Sequence, residues 1–171
     1  MGAVTILESR RLLIQQATIK DYTFFIELMN SPKWLKYIGN RGINNKRDAL
    51  AYIKNSLVNS YKSNGWGLYK LVLKDEMEPI GVCGFLKRDY LEHPDLGFAI
   101  LPAYEGCGIS FEAASAMMKY GFSELKINPI LAITSPENIS SQNLLVKLGF
   151  KNIDRITATN YGDSLLYSYA H

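Results

Sequence analysis

The sequence predicts an α/β fold in which a largely antiparallel, mixed central sheet is flanked by about four helices. Three observations predict it. Short apolar runs follow one another across polar turns, as in β-hairpins. Longer segments repeat apolar residues at helical spacing. A glycine-rich turn at residues 101–111 joins an apolar strand to a helix. No repeat or linker divides the 171 residues, so we expect one domain.

The first part of the chain is predicted to form a strand and then two helices. Residues 11–15 are the strand. Thr18 and Asp21 have the spacing of a capping box at the start of a helix that Ser31-Pro32 ends. Asn44 or Asn45 caps a second helix, which ends at Asn64-Gly65. The apolar stripes of the two helices are Tyr22, Phe25, Ile26 and Met29, and Ala49, Leu50, Ile53, Leu57 and Tyr61.

A β-hairpin follows these helices. Residues 66–73 and 80–86 are predicted strands on either side of the polar turn 74–79. Gly81 and Gly84 lie inside the second strand, which indicates a bulge or a close approach of another backbone.

The glycine-rich turn comes next and carries the first functional signal. Residues 96–101 form an apolar run, Gly106-Cys107-Gly108 follows, and a helix begins at Ser110. A glycine turn before a helix N-terminus can bind an anion, because the free N–H groups and the helix dipole meet there. We therefore expect a ligand with a phosphate, although a plain tight connection has the same pattern. The spacing fits neither a P-loop nor a dinucleotide-binding motif.

The last part of the chain is predicted to form a strand, a helix and a hairpin. Residues 129–134 are the strand, and residues 135–138 are a turn and helix cap. Leu144, Leu145 and Leu148 are the apolar stripe of the helix that Gly149 ends. The final hairpin, 150–156 and 164–169, turns around residues 160–163.

Composition excludes several classes of function. The net charge of +3 is small, and no basic cluster with aromatic residues suggests nucleic acid. The only two cysteines, Cys83 and Cys107, have no metal-ligand or disulfide spacing, so we expect no metal site. No segment reaches the roughly 20 apolar residues of a membrane span. The N-terminus has no signal-peptide pattern, and we expect a cytoplasmic location.

Together, these segments resemble the GNAT superfamily of acetyl-CoA-dependent N-acetyltransferases. The similarity rests on the hairpin and strand up to residue 102, the glycine turn 106–110, the segment 134–141 and Lys147-Leu148-Gly149-Phe150. The opening segment, residues 8–14, resembles the branch of the ribosomal-protein-alanine (RimJ/RimL-like) N-acetyltransferases. No single segment is specific for this superfamily, but the order and spacing of the segments together make the resemblance strong.

The resemblance implies a single acetyltransferase domain, residues 1–171, with a GNAT-like fold. It implies acetyl-CoA as co-substrate, no metal, and a primary amine as acceptor, either a peptide N-terminus or a small molecule. The amine would attack the thioester directly in a ternary complex. A homodimer is an expectation from the family alone, and we expect neither nucleic acid nor membrane as a partner. The alternatives are a GNAT-like module that binds CoA or acyl-CoA without turnover, and an unrelated phosphate-binding α/β protein.

The resemblance also assigns residues to the cofactor. The family motif Gln/Arg-x-x-Gly-x-Gly/Ala falls on residues 105–110, where Gly108 matches and Ser110 is a small substitute. Glu105 departs from the motif, and we expect it to face solvent because a carboxylate would repel a pyrophosphate. Cys107 stands where relatives often carry Lys or Arg. The implied cofactor-binding residues are Phe98, Ala99 and Ile100 along the pantetheine, Gly106, Cys107, Gly108, Ile109 and Ser110 at the pyrophosphate, and Asn138, which also fits a helix cap.

The catalytic groups are less well marked. Asp95 is the first candidate for the base, with Asp89, Glu92 and His93 as alternatives. Many relatives have a Tyr that acts as the general acid at the position of Leu145. Since Leu145 cannot donate a proton, Ser141 is the candidate proton donor. Weak acid–base groups suit an α-amine, whose ordinary pKa is about 7.7–8.0. Trp34, Tyr37, Arg41 and Trp66 are candidates for the acceptor site, and a covalent route would need Cys83 or Cys107 as a thiolate.

Overall fold

A mixed eight-stranded sheet organises the computed structural model, which describes residues 2–159 and 162–171. The strand order is β1-β2-β3-β4-β5-β6-β8-β7. Neighbouring strands are antiparallel except β5 and β6, which are parallel, so the predicted largely antiparallel, mixed sheet is confirmed. The strands are β1 (Thr5–Glu8), β2 (Leu12–Gln15), β3 (Leu68–Leu73), β4 (Glu78–Leu86), β5 (Asp95–Ile100), β6 (Ile130–Thr134), β7 (Lys151–Thr159) and β8 (Gly162–Tyr169).

Helices cover both faces of this sheet. Thr18 and Asp21 form the predicted capping box, and the Asn45 side chain accepts the N–H of Asp48 at 3.0 Å to cap α3. A π-helical segment, Ile53–Val58, connects α3 to α4, and Gly65 ends α4 as predicted. The helices are α1 (Tyr22–Met29), α2 (Pro32–Tyr37), α3 (Lys46–Tyr52), α4 (Asn59–Asn64), α5 (Ile109–Ser123) and α6 (Ile139–Lys147).

The core has two halves, one on each face of the sheet. Successive residues of a strand point to opposite faces, and in β4 Val82 joins one half while Cys83 joins the other. Helix α5 packs on one face through Ala113, Ala114 and Met117, and the first helices cover the other face. The sheet therefore lies between two layers of helices.

Strands β5 and β6 diverge, and this divergence positions the site. They are paired at one register position among the described residues, Asp95 opposite Leu131. Beyond it, the strands separate toward Ile100 and Thr134. Every second residue of a strand turns its N–H and C=O to the same side, and the N–H of Leu101 bonds to Ile80 of β4 at 2.8 Å. The backbone groups of Phe98 and Ile100 therefore turn toward the opening.

Some elements differ from the sequence prediction. Strand β1 was not predicted; it pairs with β2 as a short edge strand that is largely exposed. The π-helical segment was not predicted either, because π and α turns have the same apolar spacing over so few residues. At Gly81, an added Cβ would lie 2.6 Å from the carbonyl oxygen of Ala99, so the close backbone approach is confirmed. The predicted turn at Asn160 and Tyr161 lies outside the described residues.

Candidate active site

A cleft opens where β5 and β6 separate. Its volume is about 760 Å³, and it continues from the glycine turn along the opening to helices α2 and α4. Of the sequence-predicted site residues, it brings together Asp95, Phe98, Ala99, Ile100, Gly106, Gly108, Ile109, Ser110, Asn138 and Ser141. Cys107 is exposed and does not line the cleft. The backbone of Ala99 turns toward β4, so Phe98 and Ile100 offer the backbone groups that an extended ligand can pair with.

The glycine turn presents the N-terminus of α5 to the cleft. Gly106 and Gly108 have φ values of 73° and 74°, a left-handed conformation that favours glycine. Gly108 is the N-cap residue, and no side chain caps the helix. The first N–H groups of α5 therefore lack an intrahelical partner and can bind an anion.

Arg11 and Glu112 stabilise this turn through hydrogen bonds. Nη1 of Arg11 donates to the carbonyl oxygen of Cys107 at 2.9 Å, and its Nε donates to Glu112 Oε2 at 2.7 Å. The other carboxylate oxygen accepts from Ser9 Oγ and from the Arg11 backbone N–H, both at 2.7 Å. Burial alone would raise the pKa of Glu112, but these hydrogen bonds lower it. The carbonyl of Cys107 points toward Arg11. Across a trans peptide bond the following N–H points the opposite way, so the N–H of Gly108 points away from Arg11.

The expectation that Glu105 faces solvent holds only in part, because its side chain is 27% exposed and also lines the cleft. Its Oε2 lies 2.6 Å from Nζ of Lys33 on α2, and both residues line the cleft. The carboxylate is satisfied by a cation that the sequence motif could not reveal, because Lys33 belongs to a distant segment of the chain.

The opposite wall of the cleft comes from β6 and α6. Asn138 Oδ1 accepts the N–H of Ser141 at 3.2 Å, which is the predicted cap of α6. The Asn138 amide nitrogen has no protein partner among the described residues and remains available to a ligand. Ser141 is half-buried on the cleft wall. Leu145 is 1% exposed and also lines the cleft, so an apolar side chain stands where many relatives carry Tyr.

Asp95 lies at the closed end of the opening, where β5 pairs with β6. Both of its carboxylate oxygens accept from Arg88 Nε, at 2.9 and 3.1 Å. Burial raises the pKa of Asp95, and the guanidinium of Arg88 opposes that rise. Burial alone would lower the pKa of Arg88, but the carboxylate raises it. The ion pair fixes the orientation of a carboxylate whose pKa is above its ordinary value.

The alternative catalytic residues lie elsewhere. Asp89, Glu92 and His93 are exposed and do not line the cleft. Cys83 is buried in the core, and burial raises its pKa to about 12, so its thiol stays protonated near neutral pH. Neither Cys83 nor Cys107 is in a position to form a covalent intermediate in the cleft.

Helix α2 and the π-helical segment with α4 line the part of the cleft away from β6 and α6. Trp34, Tyr37 and Arg41, three of the four candidates for the acceptor site, line it. Trp66 does not line it and instead packs against Phe85 with ring centroids 6.3 Å apart. Lining residues that the sequence did not single out are Lys33, Ser56, Asn59, Ser60, Ser63 and Arg88. Their helical or loop spacing carried no motif.

Within residues 2–159 and 162–171, no group of three His, Cys, Asp or Glu side chains is arranged to hold a metal ion. None of the helices described is long and apolar enough to cross a membrane.

Comparison with known sequences gives a consistent family. The family model of the acetyltransferase (GNAT) domain matches residues 11–151. The chain is 32% identical over 146 residues to the uncharacterized N-acetyltransferase YnaD of Bacillus subtilis, covering 85% of this chain and 82% of that protein. It is also 34% identical over 98 residues to the ribosomal protein uS5-alanine N-acetyltransferase of Escherichia coli, covering 56% of this chain and 50% of that protein.

Solved structures show the same fold. An acetyltransferase of the GNAT family from Bacillus anthracis superposes with a TM-score of 0.79 at 24% identity, covering 96% of this chain and 97% of that one. RimL, a ribosomal L7/L12 α-N-protein acetyltransferase in complex with coenzyme A, superposes with a TM-score of 0.84 at 16% identity and 98% coverage of both chains.

Proposed function

Because the chain belongs to the acetyltransferase (GNAT) family, we propose that it transfers an acetyl group from acetyl-CoA to a primary amine by direct attack in a ternary complex. The acceptor is a peptide N-terminus or a small-molecule amine. The observation that carries the proposal is the separation of β5 from β6 beside the uncapped N-terminus of α5. A homodimer remains an expectation from the family, and a cytoplasmic location remains an expectation from the sequence.

The residues proposed to hold acetyl-CoA follow the length of the cleft. The N–H groups at Gly108, Ile109 and Ser110 would bind the pyrophosphate. The backbones of Phe98 and Ile100 would pair with the pantetheine as an added strand would. The free amide nitrogen of Asn138 would donate to it from the opposite wall. Acetyl-CoA fits this set of donors, because its pyrophosphate oxygens and its pantetheine amide oxygens are hydrogen-bond acceptors.

Asp95 and Ser141 are the proposed proton-handling groups. The amine nitrogen forms a bond to the acetyl carbon as the carbon–sulfur bond breaks. The proton lost by nitrogen passes through water to Asp95, whose raised pKa makes it a stronger base than an exposed aspartate. Ser141 donates a hydrogen bond to the departing thiolate, which takes a proton from solvent while Asp95 returns its proton to solvent. A backbone N–H of β5, at Phe98 or Ile100, stabilises the negative charge on the acetyl oxygen.

The absence of a Tyr acid at Leu145 concerns the leaving thiolate rather than the acceptor amine. Leu145 provides no proton, and a thiol with an ordinary pKa of about 8.5 is already an adequate leaving group. Leu145 is also the observation that favours the second candidate function, a module that binds CoA or acyl-CoA without turnover.

Two measurements test the proposal. Thermal unfolding is recorded for the protein alone, with acetyl-CoA and with ATP. A ligand at a hundred times its Kd stabilises by about 2.7 kcal/mol, which raises the Tm by a few degrees. We expect a rise with acetyl-CoA and none with ATP. Free thiol is then measured with a panel of amines, and thiol release supports the transferase. Binding without release on any amine supports the module, and a preference for ATP rejects both.

A further inference from the structure

A second cavity of about 750 Å³ runs along the outer face of α5, on the opposite face of the sheet from helix α2. We call it the α5 groove. Its apolar floor consists of residues at helical spacing on α5 and of residues after α6 and at the end of β8, namely Phe111, Met118, Phe122, Leu148 and Tyr169. Apart from Met118, these side chains are half-buried, so no described element of the chain covers the floor completely.

Positive charge borders the α5 groove. Lys119, Lys126 and Lys147 line it, and no Asp or Glu of the described chain does. Nζ of Lys147 lies 4.3 Å from the centroid of the Phe111 ring, and Nζ of Lys126 donates to the carbonyl oxygen of Ser123 at 2.6 Å. An ammonium group has three N–H donors, so both lysines keep donors for an anion. The groove therefore complements a ligand that is apolar on one side and negatively charged at its edges.

One end of the groove is continuous with the candidate active site. Phe111 and Lys147 line both cavities, and Phe111 belongs to the first turn of α5, whose free N–H groups are the proposed pyrophosphate site. The groove thus meets the cleft at its cofactor end. It lies across the sheet from α2, which carries the acceptor candidates Trp34 and Tyr37. A molecule in the groove would therefore contact the acetyl donor rather than the acceptor.

Acetyl-CoA does not account for the far end of the groove. At a rise of about 1.5 Å per residue, Lys119 lies about 15 Å along the helix axis from Ile109, and Lys126 follows the end of the helix, about 22 Å or more away. The 3′-phosphate of CoA is attached to the same ribose as the pyrophosphate, so both phosphates stay near the glycine turn. The two distant lysines, with the apolar floor beside them, fit a longer anionic partner.

We propose that the α5 groove docks a helix of an acidic acyl carrier protein, whose phosphopantetheine arm enters the cleft as an alternative acetyl donor. This inference rests on the proposed acetyl transfer and adds a second donor to it. Carrier proteins are small, helical and acidic, and they bear the same pantetheine chain as CoA. An amphipathic helix can lay its apolar face on the floor while its acidic side chains pair with Lys119 and Lys126.

The arm of the carrier would use the donor site already described. Its single phosphate would bind the N–H groups at the glycine turn, where the pyrophosphate of CoA is expected. The amine nitrogen forms a bond to the acetyl carbon as the carbon–sulfur bond of the arm breaks. The amine loses a proton to solvent, and the thiolate that remains on the carrier takes one from solvent.

The kinetic test compares acetyl-CoA, an acetylated bacterial acyl carrier protein and acetyl-phosphopantetheine without protein. We expect the carrier to have a KM at least about tenfold below that of the free arm, because the groove adds contacts. Lys119→Glu with Lys126→Asn should cancel that advantage and leave the KM for acetyl-CoA unchanged. Asparagine tolerates the φ of 57° at residue 126. Lys54→Glu with Lys62→Asn, exposed and outside both cavities, makes the same charge change and should alter neither value.

A binding test does not depend on turnover. The carrier with its unacetylated arm, and the carrier without the arm, are titrated by calorimetry into the wild type and both double variants. We expect both forms to bind the wild type, the form with the arm more tightly, and both affinities to fall as the salt concentration rises. The Lys119→Glu, Lys126→Asn variant should bind both forms at least about tenfold more weakly than the Lys54→Glu, Lys62→Asn control.

The outcomes separate this inference from the proposed function. Transfer from acetyl-CoA, with a carrier no better than the free arm and bound equally by both double variants, overturns the inference and leaves acetyl transfer standing. No transfer from any donor, with CoA bound, rejects acetyl transfer, and calorimetry then decides whether the groove binds the carrier. A homodimer that dissociates in the Lys119→Glu, Lys126→Asn variant, without carrier binding, assigns the groove to a second copy and also overturns the inference. If that variant does not fold, Lys119→Glu alone decides.

Discussion

Lys33 Nζ and Glu105 Oε2 lie 2.6 Å apart, in an ion pair that joins helix α2 to the turn before Gly106. The carboxylate replaces the Gln or Arg of the family motif beside the proposed pyrophosphate site. An unpaired carboxylate there would repel the phosphates, and Lys33 offsets that charge from helix α2. The same ion pair therefore connects the glycine turn, the proposed pyrophosphate site, with helix α2.

Substitutions of this pair should change CoA affinity in opposite directions. Lys33→Met leaves Glu105 unpaired and should weaken CoA binding about fivefold or more, whereas Glu105→Gln should strengthen it, because Lys33 is then free to face the phosphates. Calorimetric Kd values check both. Lys36→Met, which changes an exposed lysine of the same helix that does not line the cleft, is the control. Pantetheine, which has no phosphate, should bind all variants alike. Equal CoA affinity in Lys33→Met and wild type would contradict this account.

Local chemistry explains why much of the fold was predictable. The Thr18 capping box, the Asn45 cap and the Gly65 stop each depend on residues within a few positions of one another, so the sequence displays them directly. The glycine turn before α5 was visible for the same reason. The strand order could not be obtained in this way, because it depends on pairing between segments that are distant in the sequence.

The parts of the site that escaped prediction depend on contacts between distant segments. Arg11 supports the Cys107 carbonyl across 96 positions of the chain, and no pattern near either residue announces that hydrogen bond. The partner of Glu105 likewise comes from a distant segment, helix α2, so no local motif indicated the ion pair. Trp34 and Trp66 looked equivalent in the sequence, and the packing of Trp66 on Phe85 separates them.

Asn138 should contribute to cofactor binding beyond its role as a cap. Asn138→Ser keeps an oxygen that can cap α6 but removes the amide donor, so we expect little loss of Tm and about a tenfold loss of acetyl-CoA affinity. Asn138→Ala removes both and should cost an additional 0.5–2 kcal/mol or so of stability. Calorimetry and thermal unfolding of the two variants separate the roles. A serine variant with wild-type affinity would leave Asn138 as a cap only.

Arg11 should act as a positioning residue for the glycine turn. Arg11→Met removes the hydrogen bond to the Cys107 carbonyl and one partner of Glu112. The turn then has more freedom, and we expect CoA affinity to fall several-fold while pantetheine affinity is unchanged. Arg10→Met, an exposed neighbour, is the matched control. Hydrogen exchange at Gly108 and Ile109 should accelerate in Arg11→Met, and unchanged exchange would show that the turn does not depend on Arg11.

Arg88 should set the pH dependence of the reaction through Asp95. The base must be ionised, so activity is lost as the pH falls through the pKa of Asp95. Burial raises that pKa and Arg88 opposes the rise. In Arg88→Met, only a backbone hydrogen bond still opposes the effect of burial on the pKa of Asp95, and the acidic limb of kcat/KM should move to higher pH. The amine titrates identically in both proteins, so the difference between the two profiles reports the enzyme.

The stability of the same variant should depend on pH in a related way. The pKa of the Asp95 carboxyl is higher in the folded protein than its unfolded value of 3.8. Such a group contributes its full stabilisation at pH values below 3.8, and that contribution is lost as the pH rises through the folded pKa. Without Arg88 the folded pKa is higher, so the Tm of Arg88→Met should fall relative to wild type as the pH rises from acid to neutral. Arg88→Lys, which keeps the cation, should show a smaller change in both measurements. An acidic limb that stays in place in Arg88→Met, with its Tm difference independent of pH, would assign the proton to a group other than Asp95.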